Sequence, residues 1–586
     1  MNGPDLRQHR TALAAISILL VVVVAAVFHG VLHNGFVSWD DQYYVTNNSH
    51  IRVDGWDDVL WFFTHSYYWS YIPLTMLSHA ADVAMFGMDP RGHHITSLLL
   101  HAINALLFFF LAMRIARRWT GDEAARAIWV GAIAAFVFAL HPLRVESVAW
   151  VSDRKDLLCA LFLLLASHAW LRSAEGEQGR GSGAWKLLAL VFHGLALLSK
   201  ATALMFPVAL VVAAFADGGR AGLVQRLVAA VRGAIPHFLL SAAVGVIGMA
   251  SVPAVTVNFL AMDLSAPERA LLPFHSVMQP MAKFVWPDLL SPLYGYPPLS
   301  VMALSALLLI LFSIVALVAW RMGHRGPLTA WLIYLVLSVP TAMFFASGIQ
   351  PIADRYTYLA MLPLTLLLAA AVERVGRLHP FRWPPAARTA VVFAVVLGVL
   401  VAWSARSADQ VKVWHDSLAL WQHAVRLTPD VPYAQNNLGE ALVQAGYLDD
   451  AIVAYSVAAE MRPDFADAFN NLGVAHFMKR DFRRGIEMLR HAEELFRRGV
   501  LAEASIADVH FNLGSAYREL GDTSAALTYF RSAIAERETY AEAHRAVGSI
   551  LLSGGDTLAA VLSFRRAAEL GDTTSSRLVR QAQIWR

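Results

Sequence analysis

A single cysteine, Cys159, occurs among the 586 residues, and it stands in an apolar stretch. Intrachain disulfides and cysteine-built metal clusters are therefore excluded. Charge is also scarce. Asp, Glu, Lys and Arg make up 16% of the chain, against roughly a quarter in an ordinary soluble domain, so one soluble globular domain is excluded as well. The formal net charge of +3 is small for this length, and no Lys/Arg run with interleaved aromatics stands out. Nucleic acid is not an expected partner. What the chain has instead is apolar length: 57% of its residues are hydrophobic and the mean hydropathy is +0.49.

The scarcity of charge is uneven. From Asp409 to Arg586, 42 of 178 residues are charged, which leaves 49 in the first 408; the second part has a soluble composition and the first a membrane-like one. A spanning helix needs about 20 largely apolar residues, because backbone polar groups cannot be left unpaired in hydrocarbon. Runs at 11–32, 94–114, 127–142, 155–172, 234–256, 299–320, 327–346, 356–373 and 388–406 meet or approach this, and 185–216 supplies two more if it breaks near Ser199 and Lys200. The expectation is a polytopic bundle of about eleven spans. The first run is expected as a retained anchor, since it is longer than a signal-peptide core and no small-x-small site follows. Stretches 69–86 and 276–292, interrupted by His79, Asp82, Lys283 and Pro287, are expected as interfacial or re-entrant helices.

Placing the N-terminus inside puts arginine clusters such as Arg114, Arg117 and Arg118, or Arg374 and Arg377, on cytoplasmic connections, as the positive-inside rule requires. The outside then receives the loop 33–93, the turn 141–154, the Ser199–Lys200 break, 257–298, 347–355 and the soluble C-terminal part. The costly polar residues share that side: Asp40, Asp41, His141, Glu146, Asp153, Arg154, Lys155, Asp156, Lys200, Asp354 and Arg355. Ionisable groups near membrane depth commonly line a cavity, so a shared polar cavity open to the outside is expected. Any one of them taken alone reads better as a solvated loop group or a snorkelling cation; their convergence on one face shifts the balance towards a site.

After Trp414 a short period sets in. Asn-Asn-Leu-Gly occurs at 436–439 and 470–473, Asn-Leu-Gly at 512–514 and Val-Gly at 547–548. The glycines are 34, 41 and 34 residues apart. A 34-residue unit is the helix-turn-helix of a tetratricopeptide (TPR) repeat, and the longer gap is one unit with seven residues inserted around 497–503. Ala451, Tyr455 and Ala458, then Ala526, Phe530 and Ala533, then Ala560, Phe564 and Ala567 complete the lattice; Gly485, Leu489 and Ala492 make the second unit the weakest. Trp421, Ala424 and Pro429 match the end of an earlier unit. The expected organisation is a membrane domain at 1–408, a half-repeat or linker at 409–428, four TPR repeats at 429–571 and a tail at 572–586. A TPR groove holds peptides in general, and a dimerisation or docking module fits the same pattern.

Several motifs follow in order: Phe36-Val37-Ser38-Trp39-Asp40-Asp41 with Asn47-Asn48; Tyr71-Ile72-Pro73-Leu74; Gly92-His93-His94 leading into His101; His141-Pro142-Leu143-Arg144-Val145-Glu146 through Asp153-Arg154-Lys155-Asp156; Leu198-Ser199-Lys200; and Ile352-Ala353-Asp354-Arg355-Tyr356. Together with the repeats, this series resembles the TMTC-type transmembrane, TPR-containing protein O-mannosyltransferases and their bacterial relatives, within the GT-C superfamily. The resemblance covers essentially the whole chain. It implies inverting transfer of a sugar, typically mannose, from a polyprenyl-phosphate donor to a hydroxyl of an acceptor protein on the outer membrane face. The fold it implies is all-α: a GT-C-like membrane bundle followed by a TPR solenoid in the periplasm of a bacterium.

The residues suit such chemistry. An attacking hydroxyl must lose its proton, and Asp40 or Asp41 is the candidate general base. The departing phosphate wants cations, and Arg154, Lys155, Lys200 and Arg355 are available. His93, His94, His141, Glu146 and Asp354 are candidate substrate contacts. His101 reads as a packing histidine and His141-Pro142 equally as a helix stop; Asp354–Arg355 also fits a structural ion pair, with phosphate contact the favoured role for Arg355. An acidic pair can hold Mg²⁺ or Mn²⁺, but no second outside acidic cluster completes a set, so a metal is left open and no cofactor is assigned. Two other classes remain: a non-catalytic membrane-anchored TPR scaffold for envelope assembly, and a lipid-linked sugar flippase, which would need polar positions on both sides of the membrane.

Overall fold

The computed structural model describes residues 9–67, 70–120, 123–175, 182–216, 222–251, 264–342, 350–377, 384–500 and 504–584. Among them the regular structure is helical throughout, apart from an isolated bridge between Tyr67 and Ser70. The chain divides into two compact units, Met1–Leu420 and Trp421–Arg586.

In the first unit every expected run carries a helix, but the span count differs. Among the described residues, Arg10–His33, Pro90–Thr120, Val151–Glu175, Leu223–Ser251, Leu299–Arg321 and Ala386–Val413 are each long and apolar enough to cross a membrane; two bent pairs, Ala124–Leu140 with Pro142–Ala149 and Asp354–Ala360 with Leu362–Val375, raise the number there from six to eight. Ser182–Leu197, Ala201–Ala216 and Arg325–Ser338 are shorter apolar helices, and parts of the runs 234–256 and 327–346 lie outside the described residues. Polar breaks account for the shortening: the chain turns at Ser199–Lys200 and at His141-Pro142, where proline cannot continue the ladder. The stretches expected at an interface form the helices Pro73–Phe86 and Ala266–Val285.

Apolar side chains on the outer helices stay uncovered, Leu307, Leu311 and Val315 on Leu299–Arg321 and Val395 and Val401 on the last long helix among them, as a lipid-facing surface requires. The centre is denser. Pro90–Thr120 and Ala124–Leu140 approach closely at Gly131, where a Cβ would come within 2.9 Å of Met113 Cβ and 3.0 Å of the Phe109 carbonyl. Small residues permit such contacts between membrane helices.

The last long helix, Pro385–Val413, runs past residue 408 without a break. Ser407 donates to the Leu140 carbonyl at 2.8 Å, and Trp414 is buried against Trp150. These contacts move the division between the units from the expected 408 to about 420.

The second unit is built of helix pairs, Pro432–Gln444 with Leu448–Met461, Ala466–Met478 with Phe482–Arg497, Ile506–Glu519 with Thr523–Glu536, and Ala541–Ser553 with Thr557–Glu569. The repeated glycine has a packing reason. A Cβ at Gly439, Gly514 or Gly548 would sit 2.6, 2.8 or 2.9 Å from the ring of Tyr455, Phe530 or Phe564, and at Gly473 2.7 Å from Leu489. The repeated asparagines join the units: Asn512 donates to Asn470 (3.0 Å), and Asn471 donates to Asn436 (3.1 Å). The expected insertion falls partly on 501–503, outside the described residues. Residues 572–586, expected as a tail, contain a further helix, Thr573–Ile584.

Candidate active site

The first helix ends in a tight turn, His29–His33, and the chain then reaches Asp40 and Asp41 just before the helical turn Gln42–Thr46. The two neighbouring carboxylates meet different surroundings. Asp41 is buried; one oxygen accepts from the Val37 amide at 2.9 Å, and the other from the Ser152 amide at 2.9 Å and its hydroxyl at 2.5 Å. Three donors thus spend this carboxylate on tying the loop to residues 150–153. The Asp40 side chain keeps 22% of its surface exposed and lies 4.0 Å from Lys155 Nζ. Burial of the group raises its pKa, against the lowering pull of Lys155 and Arg355.

Burial also dominates at Asp41 and, despite the three bonds, pushes its carboxyl up to about 6. A carboxyl held above its unfolded value of about 4 binds its proton more tightly in the folded chain; its stabilisation is full below pH 4 or so and is lost as pH rises towards 6. Thermal melts of the full-length protein in detergent should therefore show a smaller change of Tm across that interval for Asp41→Asn than for the wild type. Parallel curves for the two proteins would refute this.

Local backbone turns bring the next groups together. Helix Ala124–Leu140 stops before Pro142, and His141 Nδ1 accepts from the Leu143 amide at 3.2 Å. Three short helical turns, Pro142–Arg144, Val145–Ala149 and Val151–Asp153, then lead into Arg154–Glu175. Lys155 lies over the rings of Tyr44 (5.0 Å) and Trp150 (5.6 Å). Arg355 lies over Trp150 and Tyr356, both at 5.0 Å, donates to Glu146 from its guanidinium (2.5 Å) and its backbone amide (2.9 Å), and reaches Gln350 at 2.8 Å. Lys200 pairs with Asp156 at 2.5 Å and stands 5.9 Å from the Tyr356 ring.

Asp40, Lys155, Arg355, Lys200 and Glu146 thus share one cluster with an aromatic lining of Tyr44, Trp150 and Tyr356. Those rings are absent from the sequence-derived candidates, although Tyr356 is beside Arg355 and Trp150 shortly precedes Lys155 in the same motif. Asp153 is a further member: it is fully buried, neither carboxyl oxygen has a hydrogen-bond partner among the described residues, and its charged neighbours include Asp156, Lys200, Arg355 and Lys155.

Other candidates lie elsewhere. Arg154 is fully buried, ion-paired with Asp82, and donates to the carbonyls of His93 (2.7 Å) and Ser78 (3.3 Å); its guanidinium serves internal packing rather than the Lys155 cluster. His93 Nδ1 is 3.6 Å from Asp82, and His94 Nε2 is 3.5 Å from the Gly35 carbonyl. His141 Nε2 donates to the Phe284 carbonyl at 2.9 Å, and its ring stacks on Phe284. Asp354 accepts from the Tyr294 hydroxyl at 2.7 Å and does not pair with Arg355, whose carboxylate partner is Glu146. His101 sits between the Tyr358 hydroxyl (2.7 Å) and the Ala139 carbonyl (3.0 Å), a packing position.

Among the described residues, no group of three or more His, Cys, Asp or Glu side chains is arranged to hold a metal ion. Asp40, Glu146 and Asp156 each face Lys or Arg, a donor set that does not fit Mg²⁺ or Mn²⁺, which take several oxygen ligands around one point.

Residues 84–252 match the dolichyl-phosphate-mannose-protein mannosyltransferase family, and residues 439–479, 464–539 and 511–573 match tetratricopeptide repeat families. The human protein O-mannosyl-transferase TMTC4 is 31% identical over 201 residues, covering 31% of this chain and 27% of that protein. The mouse protein O-mannosyl-transferase TMTC1 is 27% identical over 190 residues, covering 29% of this chain and 19% of that protein. The chain therefore spans well under two thirds of the length of the curated relatives it matches. Among solved structures, a thermophilic TPR protein of Thermus thermophilus, TTC0263, is 20% identical, covering 32% of this chain and 96% of its own, with a TM-score of 0.25. A mannosyltransferase-family segment in the apolar helical unit, TPR-family segments in the second and the similarity to TMTC proteins together support a TMTC-type family member.

Proposed function

We propose that this protein is an integral-membrane glycosyltransferase of the GT-C type that moves a sugar, mannose or another hexose, from a polyprenyl phosphate to a hydroxyl of an acceptor protein. The observation that carries the reading is the pairing of a partly open carboxylate, Asp40, with Lys155 at 4.0 Å, beside two further cations, Arg355 and Lys200, on one aromatic lining. A proton acceptor next to a cationic seat is what transfer from a phosphate donor needs.

In this mechanism the acceptor oxygen attacks the anomeric carbon while its proton passes to Asp40. The bond from that carbon to the phosphate oxygen breaks, the electron pair leaves with the polyprenyl phosphate, and the anomeric configuration inverts. A raised pKa makes Asp40 a better proton acceptor. Lys155, Arg355 and Lys200 stabilise the charge growing on the leaving phosphate, which is worth more in a site screened from water. Asp41 holds the loop. The site faces the outside of a bacterial cytoplasmic membrane, with the N-terminus in the cytoplasm and the TPR unit outside, where its groove binds the acceptor polypeptide.

Glycoproteomic mass spectrometry of the envelope fraction, with and without this protein, tests the proposal. Loss of a hexose from defined Ser or Thr residues of envelope proteins is expected in its absence and identifies sugar and acceptor together. An unchanged set of glycopeptides would refute it and favour a scaffold.

A further inference from the structure

The segment leaving the last long helix is fastened to the loop that carries Asp40. Asn34 Nδ2 donates to the Val411 carbonyl at 3.2 Å, the Gly35 amide to the His415 carbonyl at 2.7 Å, and the Ser38 amide to the Ser417 hydroxyl at 2.8 Å. Trp414, 2% exposed, stacks on Trp150 with centroids 5.7 Å apart and planes at 24°. The same Trp150 ring carries Lys155 and Arg355, and it lies 6.4 Å from Trp39, the residue before Asp40. Asp41 closes the circuit through Ser152.

Two cations from distant stretches of sequence therefore meet on one ring, and the loop that carries the base approaches the same ring through Trp39. Cation–π attraction requires the charge within about 6 Å of the ring centre, so a shift of Trp150 moves Lys155 and Arg355 together. Misplacing reacting groups by about 1 Å costs on the order of 10²-fold in rate. We propose that Trp414 is a positioning residue for the transfer, acting through Trp150 on Lys155 and Arg355, and that residues 411–417 form a strap holding the Asp40 loop against those cations. The proposal rests on the transfer reading above and adds residues that lie outside the motifs.

The test uses full-length protein in detergent with polyprenyl-phospho-mannose as donor, and measures rates alongside the affinity for polyprenyl phosphate itself. Trp414→Ala is expected to lower kcat about 10- to 100-fold and to weaken polyprenyl-phosphate binding about tenfold, with Trp414→Phe, which keeps a stacked ring, restoring most of both. Ser417→Ala, which removes one hydroxyl and leaves the tryptophans in place, guards against a misfolded Trp414→Ala; it is expected to lower kcat several-fold with little change in donor KM.

If the wild type transfers mannose and folded Ser417→Ala, together with Trp414→Ala where it folds, keeps kcat, KM and phosphate affinity within twofold, the strap is refuted and the transfer reading stands. Losses that only track the folded fraction refute it equally. If the wild type transfers nothing yet Trp414→Ala still weakens polyprenyl-phosphate binding, the positioning role survives and the transfer reading falls. A wild type that neither transfers nor binds overturns both.

Discussion

Replacing Asp40 by Asn is expected to lower kcat by about 10²–10⁴-fold, the range lost with a general base, while the folded protein and its donor KM are kept. Asn has the same shape and cannot take a proton. The ion pair it removes is long, 4.0 Å, and partly exposed, so the loss in stability stays below roughly 1 kcal/mol. Asp41→Asn should behave in the opposite way. Its amide group would face donors that the carboxylate now accepts from, the Val37 and Ser152 amides, and unsatisfied buried groups cost on the order of 1–3 kcal/mol each. Stability falls first there, and rate falls only as the loop loosens. The pH profile separates the pair further. The acid limb of kcat should lie above the usual carboxylate range, because burial raises Asp40, and it should vanish in Asp40→Asn. Rates and melts of the two variants side by side decide the matter; an Asp40→Asn protein transferring within a few-fold of wild type would show that the base is another group.

The second large effect is expected at Arg355. Arg355→Gln should lower kcat/KM by about 10²–10³-fold through lost stabilisation of the departing phosphate. The same change strands Glu146, whose side chain is 3% exposed and bonded to Arg355 through both its oxygens, and breaking a buried pair on one side costs roughly 3–5 kcal/mol. Activity and stability are thus confounded in the single variant. The double variant Arg355→Gln, Glu146→Gln separates them: stability should return towards wild type while transfer stays low. Arg355→Lys keeps the charge but cannot span Glu146 and Gln350 with one planar fork, so it should rescue transfer only in part. Recovery of transfer along with stability in the double variant would reduce Arg355 to a structural role.

The features legible in the sequence are those written locally. Apolar length marks the long helices, because hydrocarbon forbids unpaired backbone groups over a fixed thickness. The 34-residue period marks the repeats, because each unit buries one face against the next and needs the same glycine opposite the same ring, Gly439 with Tyr455 or Gly514 with Phe530. The span count was less legible. Composition treats a run as straight, whereas the chain bends by 60° between Leu140 and Pro142 and by 66° at Met361, ahead of Pro363.

Within the candidate site, the sequence by itself determined which residue types are present and that Asp40, Lys155, Lys200 and Arg355 recur beside helix ends. Only the tertiary structure decided between neighbours. Asp40 stays partly open while Asp41 is bound by Ser152; Lys155 joins the cluster while Arg154 turns to Asp82; Arg355 pairs with Glu146 while Asp354 goes to Tyr294. In each pair the two residues are adjacent, and their side chains leave the backbone in different directions, so the two meet different partners. The choice belongs to partners far away in sequence, such as Ser152 for Asp41 and Glu146 for Arg355, which no local pattern encodes.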